Sequence, residues 1–260
     1  MLHRSGISHL PLDIEGTTCP VSFVADTLFP YAATHLEGFL RQHSHNAEVA
    51  PLIAATQQAW SDDEAPEARS LRDRFTPAGG EVVGGVEAEN SVDGVRAVSA
   101  YLRLLIAHDR KLTALKDLQG LIWKAGYAEG ALMAPLFADV APALQRWQAQ
   151  GLVLGVYSSG SVAAQQLLYG HSQDGDLCHL FSHWFDTRTG PKQDTGSYST
   201  IAAAMGTEPA QVLFISDALA ECSAAARSGM AVLFSDRPGN PQRDPGPFER
   251  ISDYTHLQIA

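Results

Sequence analysis

Two hydrophobic rhythms divide the chain. From about Val21 to Gly130, apolar residues recur at helical spacing. Phe23, Leu28 and Phe29 begin the pattern, His35 to Gln42 continues it, and Ala50 to Trp60 predicts a second helix. Val92 to Ala107 spaces Val95, Val98, Leu102, Leu105 and Ile106 along one helical face, and Leu112 to Lys124 predicts another helix. Between them, Ser61-Asp62-Asp63-Glu64-Ala65-Pro66 reads as a solvated turn or helix start. The glycine-rich stretch Ala78 to Gly85, with Glu81-Val82-Val83 inside it, reads as a loop.

After residue 130 the rhythm changes. Short apolar runs at Gly151–Tyr157, His179–Phe185, Gln211–Ser216 and Met230–Phe234 predict strands, and Ile7–Leu12 predicts an earlier one. Helical stretches separate them at Ala141–Gln150, Val162–Tyr169, Ser197–Met205 and Ala220–Ser228. Short buried strands alternating with helices imply βαβ units and a parallel sheet. Right-handed crossovers then put all the strand carboxyl ends on one edge. Pro11 and His9 are unusual residues for a central strand, and Pro11 predicts a late start or a distortion just before Asp13.

Composition narrows the classes. The 260 residues exceed the usual single-domain size of about 100–150, so one large or two smaller domains fit. Eighteen basic against 29 acidic side chains give a net charge of −11, which argues against broad binding to nucleic acid or an anionic membrane. A small anionic substrate would need a locally positive site or a metal. No apolar run reaches the roughly 18 residues of a membrane helix, and Met1 to Leu12 carries no signal-type segment. Cys19, Cys178 and Cys222 are widely spaced, without a CxxC pair, and read as reduced structural thiols of a cytoplasmic protein.

The strand ends carry the chemistry. Asp13-Ile14-Glu15-Gly16-Thr17-Thr18 follows the first strand, Ser158-Ser159-Gly160 the second, Lys192 the third, and Ser216-Asp217 with Glu221 the fourth. In open α/β sheets ligands bind outside the carboxyl ends of the strands. Carboxylates and hydroxyls suit a hard cation, while hydroxyls, helix-start N–H groups and an ammonium suit phosphate. Of the four lysines, Lys111, Lys116 and Lys124 lie in the helical half, which leaves Lys192 alone among the strands. Taken singly, an Asp at a strand end is usually a turn residue or helix cap. Four such features in order are not. His179 and His183 have the i, i+4 spacing of zinc ligands, but in a strand-like run with no third ligand they read as structural. His43 and His45 read as an exposed helix end.

In that order, the four motifs resemble those of the haloacid dehalogenase-like phosphatases. Asp13-Ile-Glu-Gly-Thr-Thr followed by Val24-x-x-x-Leu-Phe-Pro-Tyr31 is similar to the enolase-phosphatase, or acireductone synthase, branch of methionine salvage. The resemblance implies an α/β fold: a Rossmann-like parallel sheet core with an inserted helical cap domain. Residues 1–20 and 131–260 would form the discontinuous core and 21–130 the cap. It implies that Asp13 is the nucleophile, forming an aspartyl-phosphate, and that Glu15 is the acid/base, where most relatives carry Asp. It implies one Mg²⁺ per chain on Asp13, Glu15 (through its main chain) and Asp217. Ser158, Ser159 and Lys192 match the phosphate binders, with Lys192 also counted among the catalytic groups. Glu221 matches an acidic position that orients the lysine or supports the metal, and Arg188 would touch phosphate or cover its loop. The implied reaction converts 2,3-diketo-5-methylthiopentyl-1-phosphate to acireductone and phosphate in a cytoplasmic monomer, without nucleic-acid or membrane partners. Another Mg²⁺-dependent phosphatase of the superfamily and a non-catalytic phosphate-binding module are the alternatives.

Overall fold

The computed structural model describes residues 2–75, 92–108 and 110–260. The predicted loop at Ala78–Gly85 lies outside them. The chain divides into two compact units, Met1–Asp26 with Glu129–Ala260, and Thr27–Ala128.

In chain order the elements are β1 (Leu2–Arg4), β2 (His9–Leu12) and α1 (Val21–Phe23), then a π-helical turn at Val24–Leu28. The helices α2 (Phe29–His43), α3 (Ala50–Ser61), α4 (Pro66–Phe75), α5 (Val92–Ala107) and α6 (Thr113–Ala128) follow. Next come α7 (Val140–Ala149), β3 (Val153–Tyr157), α8 (Val162–Gly170), β4 (His183–Phe185), α9 (Thr195–Ala204), β5 (Leu213–Ser216), α10 (Leu219–Arg227), β6 (Ala231–Ser235), β7 (Arg250–Ile251) and β8 (Leu257–Ile259).

The unit Thr27–Ala128 is built of helices, because its apolar stripes can only be buried against one another. Val95, Val98, Tyr101, Leu102 and Leu105 of α5 are buried, as are Leu36 and Leu40 of α2 and Leu118 and Ile122 of α6. Pro30 stands in the first turn of α2, directly after the π-helical turn Val24–Leu28. The acidic stretch before α4 is only partly solvated. Asp63 is buried, accepting hydrogen bonds from Tyr101 Oη at 2.9 Å and the Ala65 N–H at 3.0 Å and pairing with Arg110 at 2.7 Å.

The other unit holds a six-stranded parallel sheet in the order β4-β3-β2-β5-β6-β7. β2 is central. On the β3 side its ladder is continuous from His9↔Val153 to Leu12↔Val156, with Pro11 opposite Gly155. On the β5 side only His9↔Val212 and Leu12↔Ile215 bridge. The Asp13 N–H donates to Ile215 O at 3.1 Å, so by the two-residue alternation of a strand Pro11 faces β5 as well. The proline therefore interrupts one ladder and leaves the other intact; the strand starts at His9, two residues after the predicted Ile7, and pairs with β3 up to Leu12, directly before Asp13. His9 is half-buried, and burial holds its imidazole below the usual value.

One sheet face packs Tyr157, Phe185 and Phe214 against Tyr198, Ile201 and Met205 of the α9 segment and Ala224 and Ala225 of α10. Trp147 of α7 is fully buried and lies 5.3 Å from the Tyr254 ring. The predicted run His179–Phe185 is shorter as a strand: His179 sits in a 3-10 turn, Cys178–Leu180, and only His183–Phe185 pair with β3. The parallel pair β1–β8, with Leu2↔Leu257, joins the two ends of the chain. All three cysteines are free, and burial pushes the thiols of Cys19 and Cys222 up to about 12. Among the described residues no helix is long and apolar enough to cross a membrane.

Candidate active site

The ends of β2 and β5 and the loop carrying Lys192 turn into one cluster. β2 delivers Asp13, whose side chain is buried in place by three donors. Lys192 Nζ and the Ile14 N–H reach Oδ1 at 2.6 and 2.8 Å, and Ser216 Oγ reaches Oδ2 at 2.9 Å. Lys192, 8% exposed, also pairs with Glu221 Oε2 at 2.7 Å. Its loop is held by aromatic hydroxyls: Tyr198 Oη donates to Lys192 O at 2.7 Å and Tyr157 Oη to Gly190 O at 3.0 Å. Nζ stands 5.6 Å over the Tyr157 ring, a cation–π distance.

Ser216 Oγ sits 2.9 Å from both Asp13 Oδ2 and Glu221 Oε2. A hydroxyl has one hydrogen, so it serves one carboxylate at a time. The cluster is easier to satisfy with a proton on Glu221, and burial together with the Asp13 charge pushes Glu221 up to about 7, against the pull of Lys192. Burial works against the Lys192 ammonium, but Asp13 and Glu221 outweigh it and hold it above an ordinary lysine.

Glu15 and Asp217 are half-buried beside Asp13. Burial, then the Asp13 charge, raises Glu15, and the same two causes push Asp217 up to about 7. Four carboxyls thus share one ammonium, a surplus of negative charge that suits a hard divalent cation held by oxygens. The turn is shaped for close approach. Gly16 has φ +65°, and a Cβ there would land on Asp217 Oδ2. Among the described residues no group of three or more His, Cys, Asp or Glu side chains forms a ready metal cage. Two carboxylates and a main-chain carbonyl would need none.

Of the matched hydroxyls, Ser158 is buried, accepts the Gly160 N–H at 3.2 Å, and leads into α8, whose first turn is capped by Ser161. Ser159 is exposed. Arg188 is not aimed at this cluster: its guanidinium forks onto Asp186, with Nη2 to Oδ2 at 2.8 Å, and its side chain is 80% exposed. His179 sits in the 3-10 turn, and His183 stacks against Phe185 on β4.

Further supports of the turn come from the β6 edge, at residues no strand-end expectation named. Ser235 Oγ and Asn240 Nδ2 both donate to Gly16 O, at 2.8 and 2.9 Å, while Arg237 Nε and Tyr254 Oη donate to Thr17 O. Arg237 is fully buried on a bidentate pair with Asp139 at 2.8 Å. The signal was present, since Ser235-Asp236-Arg237-Pro-Gly-Asn240 follows a strand at the same carboxyl edge.

A haloacid dehalogenase-like hydrolase family model matches residues 9–229. Among curated proteins, the chain is 49% identical to an enolase-phosphatase E1 of Prochlorococcus marinus (strain MIT 9313), covering 95% of this chain and 96% of that one. It is 48% identical to an enolase-phosphatase E1 of Synechococcus sp. (strain RCC307), covering 93% and 90%. Among solved structures, the UTR4 protein (Unknown transcript 4 protein) of Saccharomyces cerevisiae superposes with a TM-score of 0.71 at 31% identity, covering 96% of this chain and 100% of that one.

Proposed function

The chain belongs to the haloacid dehalogenase-like hydrolases, and from that premise we propose that it is an enolase-phosphatase of methionine salvage. It converts 2,3-diketo-5-methylthiopentyl-1-phosphate to acireductone and phosphate. The observation that carries this reading is the buried Asp13–Lys192 pair at the carboxyl edge of the sheet, in a chain alike to curated enolase-phosphatases over nearly its whole length.

In this reading the diketone phosphate first enolises, a carbon base (Glu15 is the candidate) taking the proton from C1 while the C2 carbonyl oxygen gains one; Asp13 then attacks phosphorus through a carboxylate oxygen, and the bond from phosphorus to the enol oxygen breaks. Glu15, whose burial beside the Asp13 charge favours its protonated form, delivers a proton to that leaving oxygen. As a carboxylate it then takes a proton from water. The water oxygen attacks phosphorus, the bond to Asp13 breaks, and phosphate leaves with Asp13 restored. Lys192 clamps the phosphoryl oxygens, Ser158 and Ser159 and the start of α8 hold them by hydrogen bonds, and Glu221 keeps the ammonium in place. Asp13, the Glu15 carbonyl and Asp217 fit one Mg²⁺ by their hard oxygens and surplus charge. When bound, it offsets the repulsion between carboxylate and phosphate and stabilises the transferring group.

The test supplies the diketone phosphate with Mg²⁺ and follows enediol absorbance and phosphate release together. Wild type is expected to give both. Asp13→Asn is expected to release no phosphate while keeping wild-type circular dichroism, because a neutral amide neither attacks nor holds the cation comparably. Turnover of a generic aryl phosphate with none of the diketone would move the protein to another phosphatase activity. Near-normal phosphate release by folded Asp13→Asn would refute the nucleophile.

A further inference from the structure

The turn after β6 ends in Asn240, which is 6% exposed. Its Nδ2 donates to two carbonyls, Gly16 O at 2.9 Å and Ser235 O at 3.1 Å. Two acceptors on one side fix which end of the amide is nitrogen, so Oδ1 faces the other way. That oxygen is buried without a hydrogen-bond partner, and a buried acceptor carries a desolvation penalty that a donor would remove. Its direction is defined by Gly16: a Cβ on that residue would lie 2.8 Å from Asn240 Oδ1 and would land on Asp217 Oδ2. Two acceptors, one of them a carboxylate, therefore converge over the same glycine. Only hydrogen donors or positive charge satisfy such a pair.

Hydrated divalent cations supply both. Mg²⁺ keeps several of its waters when bound by one or two carboxylates, and those waters are strong donors. We infer that Asn240 is a positioning residue of the cation site, holding the Gly16 carbonyl through Nδ2 and accepting a hydrogen bond through Oδ1 from a water on the cation bound by Asp217. Ser235 makes the contrast. Its hydroxyl donates its one hydrogen to the same Gly16 carbonyl at 2.8 Å, and the atoms over Gly16 are those of Asp217 and Asn240. Ser235 clamps the turn, whereas Asn240 both clamps it and completes the cation's outer shell. An aspartate at 240 would lose both donors, and a leucine would lose the acceptor as well.

The inference rests on the Mg²⁺ site proposed above, and the experiment separates the two. Isothermal titration calorimetry measures Mg²⁺ binding to the full chain as wild type, Asp217→Asn, Asn240→Ala, Asn240→Ser and Ser235→Ala, with thermal melts confirming that each is folded. Outer-shell partners of a metal site are worth about ten- to a hundredfold in affinity. Asn240→Ala is expected to weaken Mg²⁺ binding by that factor and Ser235→Ala by less than about threefold. Asn240→Ser carries the comparison if the alanine variant does not fold. A Kd within threefold of wild type in the folded Asn240 variants overturns the inference alone. An equal loss in Ser235→Ala overturns it too, because clamping the turn would then be the whole effect. Wild type that binds no Mg²⁺, or binds it as well after Asp217→Asn, overturns the cation site itself and the inference with it.

Discussion

Replacing Lys192 by methionine removes the ammonium and keeps the length of the side chain. Two carboxylates lose their partner, Asp13 at 2.6 Å and Glu221 at 2.7 Å. Stranding one member of a buried ion pair costs about 3–5 kcal/mol. The structure sets where in that range the loss falls. Glu221 already sits at about 7, so near neutrality it escapes by binding a proton, and the lost Asp13 contact is then the main cost. The loss should be about 3 kcal/mol at pH 6 and approach about 5 kcal/mol at pH 8.5.

The sign follows from linkage. A carboxyl whose folded pKa is raised above its unfolded 4.5 binds more protons in the native state, so stability falls as pH rises from 4.5 through the folded value. Without Lys192 that window extends upward. Glu221→Gln removes the titrating group, so the double variant should recover about 1–2 kcal/mol relative to the sum of the singles, with a flatter pH profile. Activity gives the second reading. Losing a charge-assisted contact of about 1.5–3 kcal/mol should lower kcat/KM for the phosphate ester roughly 10- to 150-fold. Urea unfolding of the four proteins at pH 6 and 8.5, with phosphate release, checks both. A stability loss independent of pH, additive singles, or kcat/KM within threefold of wild type would refute the reasoning.

Glu15→Gln should slow phosphate release by about 10²–10⁴-fold while Mg²⁺ affinity, measured by calorimetry, stays within threefold; rapid release would move the acid/base role, with Glu221 next to be examined. If the enol phosphate accumulates in that variant, Glu15 is not the carbon base; if both steps fail together, it is. Gly16→Ala places a Cβ on Asp217 Oδ2 at φ +65° and should lower stability by about 1–2 kcal/mol from backbone strain alone and disable Mg²⁺-dependent turnover; wild-type melts and metal response would contradict it. In the helical unit, the hydrogen bond from Arg110 outweighs burial and holds Asp63 at about 2, below its usual 3.8. A lowered carboxyl pKa stabilises above the unfolded value and the effect is lost as pH falls through the folded one, so Asp63→Asn should lower Tm at pH 7 but little at pH 2. An equal deficit at both pH values would count against the pair.

The sequence alone determined the alternation of strands and helices, the helical middle of the chain, and the four polar groups at strand ends, because periodicity and strand-end chemistry are local properties. Asp13, Glu15, Lys192 and Asp217 were legible for that reason, and the family motifs gave them an order. Pro11 shows the limit. Its missing N–H forbids one ladder bond, but only the sheet order decided that the loss falls on the β5 side while β3 pairs it throughout. The His179 run looked like a strand, yet only three residues reach β3 and the rest turn. The ends of the chain pair as β1 and β8 across more than 250 residues, which no local pattern announces. The site itself is decided the same way. Ser216 meets Asp13 from 203 positions away and Asn240 meets Gly16 from 224. A serine and an asparagine in a loop carry no pattern that names their partners. Long-range packing of the sheet set those contacts, and with them which hydroxyl bridges the carboxylates and which carbonyl is held.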